Sequence, residues 1–201
     1  MSSEALDTKS KILQEAINLA GLKGDFTVRE VAEKAGVNVA SINYYFGNKN
    51  NLLKEIENYY ADILYKAQYE ILKEGTIDPK EKLSRWAKSL IGFMFKSPAL
   101  IGLIVNILNE DKSYNPLFVQ KIYLNKELQS IIESLIKEST GIENERVLSY
   151  KYLQLFSGIL GPVISRVVSS TFGDEKSVFD MDSQEDLNEY IEILISGVLA
   201  K

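Results

Sequence analysis

Thr27-Val-Arg-Glu30-Val-Ala-Glu-Lys-Ala-Gly36-Val-Asn38-Val-Ala-Ser-Ile-Asn43-Tyr-Tyr-Phe46-Gly-Asn-Lys49-Asn-Asn-Leu52 is the stretch on which the fold turns. Thr27 followed three residues later by Glu30 is a capping box, which predicts a helix opening at 27 with Val31 and Ala32 facing inward. Ala35-Gly36-Val37 breaks that helix with a glycine where the chain must reverse. Asn38 then caps a second short helix running to Tyr45. Ala32, Gly36 and Ile42 are spaced so that a small residue lets two helices cross, glycine makes the turn and a branched side chain fills the crossing. The segment therefore reads as helix, short turn, helix.

Such a pair can serve DNA recognition, with the second helix in the major groove and the first bracing it on the backbone. Asn38, Ala40, Ser41, Asn43 and Tyr44 are placed to reach base edges or phosphates, and Tyr45 and Lys49 to meet backbone oxygens. On local pattern alone, a compact corner of two helices in any helical protein fits these residues equally well. Charge tips the balance only slightly: residues 1–54 carry seven basic and six acidic side chains, a net of +1, against 16 and 22, a net of -6, in the remainder.

The whole run from Thr27 to Leu52 resembles the DNA-binding signature of the TetR family of bacterial transcriptional regulators. It shares the threonine opening the second helix, the Ala-Gly-Val turn, the aromatic Tyr44-Tyr45-Phe46 end of the recognition helix, and Lys49 with Leu52 opening the fourth helix. Asn43 departs from the tyrosine many members carry there. The resemblance implies backbone contacts from Thr27, Asn38, Tyr44, Tyr45 and Lys49, groove-facing positions at Val39, Ala40, Ser41 and Asn43, and structural roles for Ala32, Gly36, Val37, Ile42 and Phe46. It also implies a helical carboxy-terminal body that binds a small molecule and dimerises, with the ligand altering the spacing of two reading heads. On this basis the chain is expected to be a homodimeric regulator, a repressor released from an inverted-repeat operator in double-stranded DNA by a small-molecule effector.

Outward from that stretch, apolar residues recur three and four positions apart, as in Ile12, Leu13, Ala16, Ile17, Leu19 and Ala20, and the chain reads as all-α. Asp78-Pro79, Ser97-Pro98 and Asn115-Pro116 each set a capping side chain before a proline suited to a first helical turn. Nine helices are expected, over 7–21, 27–34, 38–45, 48–74, 78–96, 98–110, 116–139, 144–170 and 184–199. Pro162 lies inside the eighth, where it removes a backbone hydrogen bond and should bend it. The expected organisation is a head over 1–50 and a body over 51–201. Residues 172–183 read as a loop or a packed turn.

With 201 residues, no cysteine and no histidine, the chain lacks thiol nucleophiles, Cys/His zinc sites, histidine bases and every Ser-His-Asp arrangement. Asp180-Met181-Asp182 fails as a calcium loop, because Glu185 and Ile191 stand where glycine and a bidentate glutamate are required. No metal or resident cofactor is expected, and no enzymatic activity, although a helical enzyme built on carboxylates, lysine or tyrosine is the rival of another class. The first residues lack a basic, apolar secretion signal, so a cytoplasmic protein without membrane contact is expected.

Residues 55–201 are rich enough in aromatics to line an apolar cavity, and Trp86, Phe93, Tyr123, Tyr152 and Phe156 are the candidates for it. The alternative is that they are plain core. The effector is accordingly expected to be mostly apolar. For dimerisation, Leu187, Ile191, Leu194, Ile195 and Val198 form a stripe on the last helix, and Ser157, Gly158 and Gly161 give the preceding helix a flat face; together two copies would make a four-helix bundle. The alternative is that both stripes face their own core. A ligand carrier or interaction module without specific DNA binding is the remaining rival.

Overall fold

A computed structural model describes residues 3–23, 26–97, 99–172 and 183–200. Among these the regular elements are all helices: α1 (Ser3–Lys23), α2 (Val28–Ala35), α3 (Val39–Phe46), α4 (Lys49–Lys73), α5 (Pro79–Lys96), α6 (Ala99–Glu110), α7 (Lys126–Thr140), α8 (Glu145–Phe172) and α9 (Gln184–Leu199), with one short π-helical stretch between α6 and α7. The segment 173–182, with Asp180, Met181 and Asp182, lies outside the described residues.

The chain divides into two compact units, Met1–Ile63 with Lys96–Tyr123, and Leu64–Phe95 with Leu124–Lys201. In the first, α1 packs on α2, α3 and α6. Its core holds Ile12 and Ala16 of α1, Val31 and Ala35 of α2, and Ile42 of α3, all fully buried. In the second, α7 packs on α8 and α9, and α8 on α9. There Leu83, Leu90 and Ile91 of α5, Ile132 and Ile136 of α7, Leu155 and Ile159 of α8, and Ile191 and Ile195 of α9 are buried. The boundary expected at residue 50 falls within the first turn of α4, a continuous 25-residue helix that contributes to both units.

The single helix expected over 116–139 is instead two elements. A short turn ends in the π-helical stretch Val119–Tyr123, and α7 begins afresh at Lys126. The cause is a pair of caps. Asn125 accepts from the backbone N–H groups of Glu127 (3.0 Å) and Leu128 (3.1 Å), starting α7. Upstream, the Glu57 carboxylate, fully buried on α4, accepts from the N–H of Leu117 (3.2 Å), the N–H of Phe118 and the hydroxyl of Tyr114 (2.7 Å). A buried carboxylate needs such a full set of donors, and the N-terminus of a helical turn supplies two.

The proline in α8 has a defined consequence. Pro162 has no N–H to give the carbonyl four residues earlier, that of Gly158. Tyr190 of α9 donates its hydroxyl to that carbonyl at 2.7 Å, so the orphaned acceptor becomes a link between helices. Gly158 is also a point of close approach, because a Cβ there would overlap both methyls of Leu194. No single helix among the described residues is long and apolar enough to cross a membrane.

Candidate nucleic-acid interface

The reading head is built by its caps. The Glu30 N–H donates to Thr27 Oγ1 (3.1 Å), and Glu30 Oε2 accepts from the Thr27 N–H (2.7 Å), completing the capping box at the start of α2. At the other end Gly36 takes φ +65°, and the Val37 N–H closes onto the Ala32 carbonyl at 2.9 Å. That left-handed conformation is why a glycine makes the turn. Asn38 Oδ1 then accepts from Ser41 N–H (2.7 Å) and Ser41 Oγ (3.0 Å), fixing the first turn of α3.

With the turn fixed, α3 has two faces. Ile42 and Phe46 are buried and anchor it. Val39, Ala40, Asn43 and Tyr44 lie on the opposite side and are exposed, Tyr44 by 79%. This outward set mixes small side chains, one amide and one phenol, which suits close approach to base edges. Asn38 and Thr27 are exposed at the starts of α3 and α2, while Ser41 and Tyr45 are half-buried. Asn38 and Ser41 spend oxygens on capping, so the Asn38 Nδ2 donor and the Ser41 hydroxyl proton are differently placed: the first can donate outward and the second is turned to Asn38. The rings of Tyr44 and Tyr45 meet edge to face at 5.0 Å, which steadies the more exposed one.

Lys49, at the first residue of α4, is half-buried with its Nζ 5.4 Å from the centre of the Phe26 ring. The ring holds the ammonium at the start of the helix. Asn48 Oδ1 caps that same turn through the Asn51 N–H at 2.9 Å. Sequence reading did not single out Lys9, whose Nζ lies 5.5 Å from the Phe46 ring centre and so adds a cation at the end of α3. Its signal in sequence was only a lysine on an amphipathic helix.

Along α4 a second set of polar contacts fastens the first unit. Lys54 pairs with Asp111 at 2.8 Å and lies over the Tyr114 ring at 4.8 Å, and Asp62 pairs with Lys121. The Asp111 carboxyl is lowered to about 2, first by the hydrogen bond from Lys54 and then by those from Ser113. Burial, and then the Glu57 carboxylate it donates to, push the Tyr114 hydroxyl up.

In the second unit the aromatic candidates separate. Trp86, Phe156 and Tyr152 come together, with ring centres 6.4 Å apart for Trp86 and Phe156 and 5.9 Å for Tyr152 and Phe156. Phe93 is half-buried further along α5. Tyr123 is 54% exposed and belongs to the first unit.

The apolar stripe on α9 faces inward. Leu187, Ile191, Ile195 and Val198 are buried in the chain's own core, Leu194 is half-buried, and Gly158 faces Leu194 rather than the outside. The physical reason is that α9 must cover α7 and α8, and its apolar face does so. Ser157 and Gly161 remain exposed. They share one face of α8 with Tyr150, Leu153 and Ile164, each more than half exposed, and α9 exposes Ile193 to a similar degree.

Residues 12–56 match the profile of the bacterial regulatory proteins of the TetR family. Over 53 residues the chain is 43% identical to the Bacillus subtilis protein named probable HTH-type transcriptional regulator YttP, a match spanning 25% of this chain and 26% of that one. The fold as a whole is similar to that of a transcriptional regulator from Rhodococcus sp. Rha1, at 16% identity and a TM-score of 0.70 over 95% of each chain. It is also similar to the TetR-family regulator PfmR of Thermus thermophilus, at 20% identity and a TM-score of 0.59 over 92% of this chain and 97% of that one.

Proposed function

We propose that this chain, whose residues 12–56 match the profile of the bacterial regulatory proteins of the TetR family, is a member of that family and a homodimeric repressor released from an inverted-repeat operator by a small molecule. The observation that carries the proposal is the outward face of α3, where Val39, Ala40, Asn43 and Tyr44 stand clear while Ile42 and Phe46 lock the helix from behind. Thr27, Asn38, Tyr45 and Lys49 flank that face as phosphate contacts, and Ser41 sets the first turn on which they depend.

A dimer is supported by the outward stripe of Tyr150, Leu153, Ser157, Gly161 and Ile164 on α8, with Ile193 on α9. Apolar side chains grouped around small residues form a self-complementary surface for a two-fold axis. The effector site is supported by the cluster of buried Trp86 and Phe156 with half-buried Tyr152 in the second unit, and the continuous helix α4 contributes to both units. The ligand shifts the DNA-binding state only by its preference for one arrangement over the other. In this reading the chain binds and releases; it catalyses nothing.

Affinity selection of random duplexes on the purified full-length protein at near-physiological salt tests the proposal. The expected product is a two-fold symmetric site with half-sites about 34–36 Å apart. Enrichment of no sequence, with salt-dependent binding to all duplexes alike, would overturn it.

A further inference from the structure

Of the phosphate contacts proposed above, Thr27, Asn38 and Tyr45 are neutral and only Lys49 carries charge. The salt-dependent part of affinity for a duplex comes from cations set against phosphates, and one cation per half-site supplies little of it. Helix α1 holds two more. Lys9 is half-buried, and its Nζ stands 5.5 Å from the ring centre of Phe46, the last residue of α3. Lys11 is exposed, and its Nζ stands 3.7 Å from where a Cβ on Gly36 would lie, at the turn between α2 and α3. Two residues apart on a helix, these side chains leave α1 about 200° apart around its axis. Packed against α3, α1 thus reaches both ends of the reading helix. Neither ammonium has a carboxylate partner among the described residues. An aromatic ring holds a cation without cancelling its charge, whereas Lys54 is neutralised by Asp111 and Lys121 by Asp62. Lys34, in the last turn of α2, lines a groove with Glu30 and Glu33, whose carboxylates repel a phosphate.

We propose that Lys9 and Lys11 are phosphate contacts, one beyond each end of α3, so that the DNA surface of this protein extends past the helix-turn-helix onto α1. Phe46 ends α3 and Gly36 caps α2, and a helix carboxy-terminus presents unpaired carbonyls and partial negative charge. A helix laid in the major groove brings such ends toward the sugar–phosphate strands, where a cation makes the approach favourable. The two lysines read no base. They hold the orientation of α3 in the groove while its outward face chooses the sequence. The inference rests on the proposed DNA-binding function and adds an element to which the family resemblance assigned no contact.

The full-length protein is titrated with the selected duplex, and with a scrambled duplex of the same length, over a series of salt concentrations. Lys9→Met keeps an apolar stem against the Phe46 ring and removes the charge, and Lys11→Gln removes the charge at an exposed site. Each should lower the slope of log affinity against log salt by about one per protomer on both duplexes, and the double variant by about two. The selected sequence should stay as it is. Lys9→Arg, which keeps the charge, should keep the parent slope. If each ammonium serves only to offset a helix terminus, the variants lower the melting temperature and leave the slope where it was. The parent slope in either Lys9→Met or Lys11→Gln, with the head still helical by circular dichroism, overturns the proposal. Failure of the wider reading looks different, because the selected and scrambled duplexes then bind alike while the scrambled one still reports the slope.

Discussion

In the proposed function, base reading and backbone positioning are assigned to two side chains with different settings, Asn43 and Lys49. Asn43 stands on the exposed face of α3, and an amide can pair two ways with an adenine edge. Lys49 is held by the Phe26 ring at the start of α4, and an ammonium there can only recognise charge. Lys49→Ala should therefore weaken binding to all duplexes and reduce the slope of log affinity against log salt by about one. Asn43→Ala should change the selected sequence at one position of each half-site and leave the salt slope alone. An unchanged slope in the first variant, or an unchanged logo in the second, refutes the corresponding assignment. The caps and turn that set α2 and α3 were legible in the sequence because they are local: Thr27 with Glu30, Gly36, and Asn38 with Ser41 each act within three or four positions. The fate of the Gly158 carbonyl was not legible. Pro162 announces that a carbonyl is orphaned, but the partner, Tyr190, is 32 residues further on and is found only by packing α9 on α8.

Helices as units were read well where apolar periodicity was uninterrupted and less well where two caps fell inside one periodic stretch. The segment after Pro116 shows why: Asn125 restarts a helix, and its signature of a capping side chain before Lys126-Glu127 was present but was outweighed by continuing apolar spacing. Glu57 had no signature at all, because a glutamate on a helix is ordinarily a solvated charge, and only the fold shows it buried. Its role can be tested against that of its neighbour. Glu57→Ala strands two backbone donors and the Tyr114 hydroxyl together and should cost about 3 kcal/mol, whereas Tyr114→Phe removes one bond and should cost about 1 kcal/mol. Urea melts give both values, and equal losses would show that the backbone of 117–118 does not depend on Glu57. Asp111 makes a pH-dependent companion to this clamp. Its carboxyl lies lower in the fold than its ordinary 3.8, so the ionised form is favoured by folding. The stabilisation is therefore complete above about pH 4 and disappears as the pH falls toward 2. Asp111→Asn should flatten the loss of stability across that window and leave its shape above pH 5 unchanged; an identical acid limb in both proteins would remove the Lys54 pair as its source.

For the molecule as a whole, the decisive question is which apolar surface is left over once each unit has closed its own core. The sequence shows stripes on both of the last two helices but cannot rank them, since an inward and an outward stripe have the same period. The fold ranks them: Ile191 and Ile195 are inward, and Leu153, Ile164 and Ile193 are outward. The two classes predict opposite failures. Leu153→Glu puts a carboxylate on a surface that the monomer leaves in water, so the monomer's own stability should move by no more than about 0.5 kcal/mol. In a two-fold dimer the same carboxylate is buried without a partner, and twice, once from each copy. The dimer should weaken by about 3 kcal/mol or more, roughly a hundredfold in dissociation constant. Ile191→Glu, by contrast, should unfold the second unit outright, because the charge enters a core whose cost no partner chain relieves. Sedimentation measurements across a concentration series, with circular dichroism on the same samples, separate the two. A folded Leu153→Glu monomer that still contacts a single half-site but no longer holds the palindrome ties operator affinity to this face of α8. A Leu153→Glu protein that remains dimeric at the concentrations of the parent would place the two-fold axis elsewhere on the molecule.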